Sequence, residues 1–160
     1  MRMWITIVAV VALATGCKKT DAASNAYVNE KMPVAMARMQ DGEQILKATS
    51  GALANQPAAP PELLHAAKTL HTASTLMANI TPPTAFKTAH ESYRELCEQL
   101  AGNIDGMVAA ANAHDDPRFT NSYSAGLTTL QTLISTDTLW EQLVREAHVT
   151  QNKLPAPPAD

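Results

Sequence analysis

The positions of proline constrain this chain more than any other feature of its sequence. Proline is costly inside a helix because it lacks a backbone N–H and its ring clashes with the preceding turn, but it suits the first turn. Away from the chain ends, prolines form three clusters, which indicate three loops, each followed by a helix start: Pro57, Pro60 and Pro61; Pro82 and Pro83; and Pro117. The clusters bound four predicted helices, at 30–54, 61–79, 83–113 and 118–152. Pro33 fits the first turn if the first helix begins near residue 30.

Each predicted helix carries apolar residues at steps of three and four, which is the spacing of one helical face. The third helix shows this most clearly, with the series Phe86, His90, Tyr93, Cys97, Leu100, Ile104, Met107 and Ala111. Aromatic residues make up only 4% of the chain, too few for a typical β-sandwich or barrel. Because short loops favour antiparallel neighbours, we predict an all-α fold, an up-down-up-down antiparallel four-helix bundle over residues 30–152. The polar run at 135–138 is compatible with either a break or a continuous fourth helix.

The first 16 residues have the features of a signal peptide. Arg2 and the free amine give a positive start, and a short apolar run follows from Trp4 to Ala14. At about 1.5 Å per residue a helix of this length cannot cross a bilayer core of about 30 Å. We therefore interpret residues 1–16 as a cleaved leader and not as a membrane span.

The residues Leu13-Ala14-Thr15-Gly16-Cys17 resemble the lipobox of bacterial lipoproteins. The resemblance covers the leader alone, and it departs from the usual pattern at Ala14, where the family favours Leu, Val or Ile. It implies that the sulfur of Cys17 carries diacylglycerol and that the leader is cleaved between Gly16 and Cys17. It also implies that a fatty acid such as palmitate is added to the new amine in many Gram-negative bacteria. The alternative is an ordinary secretory leader followed by a chance cysteine.

By this resemblance, membrane lipid is the expected partner of acylated Cys17, and the domain lies outside the cytoplasm. In enterobacterial lipoproteins an Asp after the cysteine favours the inner membrane, so by analogy Lys18 favours the periplasmic face of the outer membrane. Residues 17–29 are small and polar and predict a flexible tether, and residues 153–160 predict a Pro-rich tail. Cleavage leaves 11 basic and 15 acidic side chains without a basic block, so we expect no nucleic-acid partner.

The sequence contains no motif that carries a known catalytic chemistry. It has no Gly-rich phosphate loop, no Gly-x-Ser-x-Gly turn, no His-Glu-x-x-His pair and no Cys-x-x-Cys-His haem attachment. Glu62 and His65 form its one Glu-x-x-His, whereas a ferritin-like di-iron site needs two. We therefore predict no catalytic residue, no metal ligand and no cofactor, and a protein that is not an enzyme. The thiol that remains after acylation, Cys97, is predicted to be a small buried hydrophobe, with an intermolecular disulfide or a redox role as alternatives.

Antiparallel helices place Tyr93 level with Asp137, and they bring Glu43, His71, His90 and Asp137 toward one layer of the bundle. Three interpretations remain open: unrelated side chains, a hydrogen-bonded polar layer that fixes the helix register, and a metal site. If His90 pairs with Asp137, the carboxylate raises the pKa of His90 above about 6.5, whereas burial without Asp137 lowers it.

Met32, Met36 and Met39 form a second cluster, whose thioethers suit Cu(I), although methionine also fills the cores of alanine-rich bundles. Haem held between one of them and His148 is a further alternative. The leading hypothesis is a non-enzymatic, membrane-anchored helical bundle, a binding or structural protein of the cell envelope whose partner is an envelope protein or the cell wall. The alternative is a metal- or haem-binding helical bundle.

Overall fold

The computed structural model of the chain describes residues 21–53 and 61–156, and every regular element within these residues is helical. A short helix, α1 (Ala22–Ala26), continues into a π-helical turn (Tyr27–Lys31). The longer helices are α2 (Pro33–Leu53), α3 (Pro61–Ala78), α4 (Lys87–Asn112) and α5 (Asp116–Glu146), with a 3-10 turn (Thr84–Phe86) before α4. The predicted all-α class is confirmed for this part of the chain. None of its helices is both long enough and apolar enough to cross a membrane.

Proline marks two of the helix starts as predicted: Pro61 is the first residue of α3, and Pro117 lies in the first turn of α5. The other two starts were predicted too early, because α2 begins at Pro33 and not at 30, and α4 begins at Lys87 and not at 83, after the 3-10 turn. Asp115 caps α5, because its side chain accepts a hydrogen bond from the backbone N–H of Arg118 at 3.1 Å. The sequence allowed either a break or a continuous helix at residues 135–138, and α5 is continuous there.

The predicted flexible tether at 17–29 is wrong for its described part, residues 21–29. Asp21 caps α1 by accepting a hydrogen bond from the N–H of Ala23 at 3.2 Å. Tyr27 and Val28, in the π-helical turn, are each only 1% exposed. The backbone N–H of Met32 donates to the carbonyl oxygen of Tyr27, five residues earlier, which is the hydrogen bond of a π turn. Because a π turn adds one residue, Tyr27 falls outside the three-and-four spacing that predicted the helices.

The predicted ends of the last two helices were too late because histidine occupies the position where a helix usually ends with glycine. His114 and His148 have φ angles of 54° and 53°, in the left-handed region. After α5, the N–H of Val149 bonds to the carbonyl of Val144 at 3.1 Å, which closes the helix at Glu146 and not at 152. Residues 149–156 are then non-helical, and Leu154 packs against the core.

Each long helix contacts the next one along the chain. Between α4 and α5, Tyr93 contacts Asp137 and Asn103 contacts Thr129, so residue numbers rise along one helix as they fall along the other. The predicted level of Tyr93 with Asp137 is therefore confirmed. Cys97 is fully buried between the helices, as predicted. The largest fully buried side chains of the described residues are Tyr27, Met32, Met39, Leu46, Leu63, Leu70, Met77, Phe86, Tyr93, Leu100, Ile104 and Met107.

Gly42 on α2 tests how closely α2 and α3 approach, and Gly102 on α4 provides the comparison. A Cβ on Gly42 would lie 2.6 Å from Cγ of Leu70 and 3.3 Å from the carbonyl oxygen of Ala66, whereas a Cβ on Gly102 would have no neighbour within 4 Å. We expect Gly42→Ala to lower the free energy of unfolding by about 1–3 kcal/mol through overpacking. We expect Gly102→Ala, the matched control, to raise it by about 0.5–1 kcal/mol through helix propensity. Urea unfolding measures both, and a stabilising Gly42→Ala would contradict the close packing of α2 on α3.

Candidate functional site

The structure separates the four side chains that the sequence placed in one polar layer. Glu43 and Asp137 lie close enough for the charge of one to affect the other. His90 lies about one turn before Tyr93 on α4 and has different partners. His71 lies on the outer surface of α3. The four side chains therefore do not share one layer, which excludes the polar layer of four that the sequence left open. Glu43 and Asp137 belong to a different group that we name the carboxyl layer: Glu43, Lys47, Tyr93 and Asp137. Glu43 and Tyr93 are buried, Asp137 is half-buried and Lys47 is exposed.

The carboxyl layer contains side chains from α2, α4 and α5, and its α2 members interact with Asp137 by charge and not by a hydrogen bond. The hydroxyl of Tyr93 donates a hydrogen bond to Oδ1 of Asp137 at 2.8 Å. Nζ of Lys47 donates to Oε2 of Glu43 at 2.9 Å. Glu43 is only 4% exposed, and its second oxygen, Oε1, has no hydrogen-bond partner among residues 21–53 and 61–156. A buried acceptor without a partner carries its full desolvation cost.

Burial dominates the electrostatics of this layer. It raises the pKa of Glu43, to which the charge of Asp137 adds, while Lys47 opposes the increase. Burial also raises the pKa of Asp137, and the hydrogen bond from Tyr93 opposes it. The pKa of the neighbouring Cys97 thiol is raised mainly by burial, so the thiol stays protonated and is a poor nucleophile. The arrangement can hold a proton on a buried carboxyl group, and the described residues contain no group of three His, Cys, Asp or Glu suited to a metal ion.

The predicted pair of His90 with Asp137 is wrong, because Asp137 bonds to Tyr93 instead. Nε2 of His90 donates to the carbonyl of Met77 at 3.0 Å, since a carbonyl can only accept. The other ring nitrogen, Nδ1, therefore accepts from the hydroxyl of Tyr27 at 2.8 Å. Burial lowers the pKa of His90 and the charge of Arg94 lowers it further, while the hydrogen bond to Met77 opposes the decrease. The neutral ring is thus favoured, the opposite of what the pair with Asp137 would produce.

His90 borders a group of buried rings that we name the aromatic cluster: Tyr27, Phe86, Tyr93 and Trp140. The ring centroid of Tyr27 lies 5.2 Å from that of Phe86 and 5.8 Å from that of Trp140. Trp140 also lies 5.3 Å from Phe86 and 5.8 Å from Tyr93. The periodic series of the third helix contained Phe86 and Tyr93, whereas Tyr27 was assigned to the tether. The signal that could have extended the first helix to this region is Val28, an apolar residue four positions before Met32.

His71 connects α3 to α4 at the surface. Its Nδ1 lies 3.2 Å from Oε2 of Glu98, and its Nε2 lies 3.0 Å from Oδ2 of Asp105. The hydrogen bond to Asp105 raises the pKa of His71, and that to Glu98 adds to the increase. The sequence brought His71 toward the level of His90, but its partners Glu98 and Asp105 lie about two and four turns after His90 on α4.

Gly16 and Cys17, the predicted cleavage and lipid-attachment residues, lie outside the described residues. Comparison of the chain with protein-family models, with curated proteins and with solved structures found no match.

Replacing the carboxyl group of Glu43 tests the carboxyl layer. Because the folded pKa of Glu43 is raised, its contribution to stability is fully present below the unfolded pKa and is lost as the pH rises through the folded pKa. We expect Glu43→Met to raise the free energy of unfolding by about 1–3 kcal/mol near pH 7, since it removes a desolvated acceptor. The gain should shrink as the pH falls toward about 4.3, the pKa of an unperturbed Glu.

The matched control is Glu95→Met, on the exposed surface of α4, which we expect to change stability by less than about 0.5 kcal/mol. Chemical unfolding of the three proteins over this pH range gives the comparison. A Glu43→Met variant that is less stable than the wild type near neutral pH would mean that the carboxylate is well compensated.

Proposed function

We propose that this chain is a lipoprotein of the bacterial cell envelope. Its four long helices form an up-down-up-down bundle that is non-enzymatic and acts through its surface as a binding or structural protein. Cys17 carries the lipid after cleavage behind Gly16, and the partner is another envelope protein or the cell wall. The observation that carries the proposal is the lipobox-like sequence Leu13–Cys17, directly before the helical domain.

The distance between the anchor and the domain supports this proposal. Only residues 18–20 separate Cys17 from Asp21, the cap of α1. At about 3.3–3.6 Å per residue, even a fully extended chain spans at most about 14 Å from Cys17 to Asp21. Acyl chains on Cys17 would therefore hold the domain against the membrane surface, where Lys18 and Lys19 each add about 1 kcal/mol of attraction to anionic headgroups. By analogy with enterobacterial lipoproteins, in which an Asp at this position favours the inner membrane, Lys18 favours the periplasmic face of the outer membrane in a Gram-negative cell.

The surface and the core support a binding role and not a catalytic one. Burial raises the pKa of the Cys97 thiol, which keeps it protonated, and Glu43 is only 4% exposed, where a substrate does not reach it. By contrast, Leu64, Ile134 and Leu139 are large apolar side chains that are 56%, 46% and 39% exposed. The contacts of α4 with α5, and of α3 with α4, run in opposite directions along the two helices of each pair. This antiparallel pairing favours the up-down bundle. The excess of acidic side chains argues against nucleic acid as the partner.

Replacing each cysteine in turn tests the anchor. We expect Cys17→Ala to abolish incorporation of labelled fatty acid and to remove the acyl mass from the intact chain, because the acceptor sulfur is gone. Cys97→Ala is the matched control, since that thiol is buried, and it should keep both the label and the mass. Mass spectrometry of the protein from membranes should also find Cys17 as the first residue. Unchanged fatty-acid labelling of Cys17→Ala would contradict the proposal, and a visible haem spectrum or a stoichiometric metal in the wild type would favour the alternative.

A further inference from the structure

We propose that residues 21–31, which we name the N-terminal segment, are a releasable part of the bundle that detaches when His90 takes up a proton. Its release would lengthen the connection between the domain and its anchor. The detachment follows from contacts inside the domain, while its effect on membrane distance rests on the proposed function.

One buried hydrogen bond is central to the attachment of the N-terminal segment. The hydroxyl of Tyr27 has one hydrogen-bond partner in the described chain, Nδ1 of His90, and both side chains are at least 96% buried. Protonation would place a hydrogen on Nδ1, which would then donate to the hydroxyl oxygen of Tyr27 and leave the hydroxyl hydrogen of Tyr27 without an acceptor. A buried donor without an acceptor is costly, and so is a buried imidazolium. Moving the N-terminal segment away relieves both costs, because water then reaches the ring of His90.

The groups around His90 do little to compensate a positive charge there. On α4, Arg94 opposes protonation and Glu91 favours it, and Lys87 lines the same surface groove. α3 contributes the carbonyl of Met77, which already accepts from His90. On α5, the uncharged ring of Trp140 packs against Tyr27, and the carboxyl group of Asp137 is bonded to Tyr93. The charged side chains of the N-terminal segment, at 21, 30 and 31, are exposed.

The remaining polar attachment of the N-terminal segment is at the surface. Asn29 donates from Nδ2 to the carbonyl of Thr150 at 3.0 Å, and its Oδ1 accepts from the N–H of Asn152 at 2.8 Å. Water replaces such exposed bonds at little net cost. The buried contacts of Tyr27 and Val28 therefore decide whether the N-terminal segment stays attached, and the protonation state of His90 acts on the first of them.

Release would change the reach of the anchor by a calculable amount. With the segment attached, Cys17 lies at most about 14 Å from the domain. With it detached, the connection runs from Cys17 to Pro33, and its fully extended length is about 55 Å. A flexible chain of that length has a root-mean-square end-to-end distance of roughly 20–24 Å. The bundle would thus stand close to the membrane near neutral pH and reach outward in acid.

The tryptophan of the aromatic cluster reports on release. In the full chain with Trp4→Phe, Trp140 is the one tryptophan, whether or not the leader is cleaved. We expect its emission to shift toward longer wavelength, as for a ring in water, as the pH falls below about 6.5, while the far-ultraviolet circular dichroism stays helical. The midpoint should coincide with the titration of His90 observed by NMR. Tyr27→Ala, which cannot fill the cluster, should show the shifted emission already near neutral pH.

Substitutions separate His90 from the other titrating groups. His90→Gln should abolish the shift, because its amide can accept from Tyr27 and donate to Met77 without titrating. His71→Gln and Asp137→Asn should both retain it. A shift that survives in His90→Gln, that misses the His90 titration, or that accompanies loss of helix would overturn the proposal, as would constant emission down to about pH 4.5.

The membrane part is tested separately, with the acylated protein in vesicles of anionic phospholipid that carry a dansyl headgroup. We expect energy transfer from Trp140 to the dansyl groups to decrease with the same midpoint as the emission shift. If the emission shift occurs in detergent but energy transfer in vesicles stays constant, the change in reach is overturned while the release stands. Absence of acylation on Cys17 would overturn the proposed function without affecting the detergent measurement.

Discussion

The hydrogen bond between Tyr27 and His90 is the interaction on which the arrangement of this end of the molecule depends. It is 2.8 Å long, buried, and connects residues 63 positions apart in sequence. Through it the π-helical turn of the N-terminal segment meets α4, while Met77 brings α3 to the same imidazole and the ring of Trp140 brings α5 to Tyr27. His90 and Tyr27 together therefore join four parts of the chain. The neutrality of His90 follows from its burial, and its burial follows from the N-terminal segment that covers it.

A second polar group lies about one helical turn away and is kept separate by its hydrogen bonds. Tyr93 lies three residues after His90 on α4, and Asp137 lies three residues before Trp140 on α5. Because the hydroxyl of Tyr93 donates to Asp137, the carboxylate is not available to His90. Buried groups of this kind favour one register over others, since a slip between α4 and α5 would leave Asp137 and Tyr93 without partners. The carboxyl layer thus helps to fix the helix register. Its cost to stability is the desolvation of the Glu43 oxygen that has no hydrogen-bond partner.

The sequence predicted those features that depend on one residue type or on a regular period. Proline placed the starts of α3 and α5, and the spacing of three and four placed Tyr93 and Cys97 in the core. The features that it missed depend on irregular backbone. A π turn moved Tyr27 out of the periodic series, and left-handed His114 and His148 ended two helices without glycine.

Partners of single side chains were the hardest to predict, because they depend on a register accurate to one residue. The level estimate was right for Tyr93 with Asp137, where the loop between α4 and α5 is tight. It failed for His71, whose partners Glu98 and Asp105 lie about two and four turns after His90 on α4. For His90 the estimate could not succeed, since its partner Tyr27 was assigned to the tether and outside the bundle.

The central claim is that residues 21–31 are part of the folded domain, so that Cys17 is tied closely to it. The most direct measurement is the free energy of unfolding of the chain with residues 18–31 deleted, compared with the intact chain. Loss of a buried aromatic side chain alone costs about 3–5 kcal/mol, so we predict that the deletion lowers stability by at least about 3 kcal/mol. A deletion that changes stability by less than about 0.5 kcal/mol would show that these residues are a tether, and it would contradict the account.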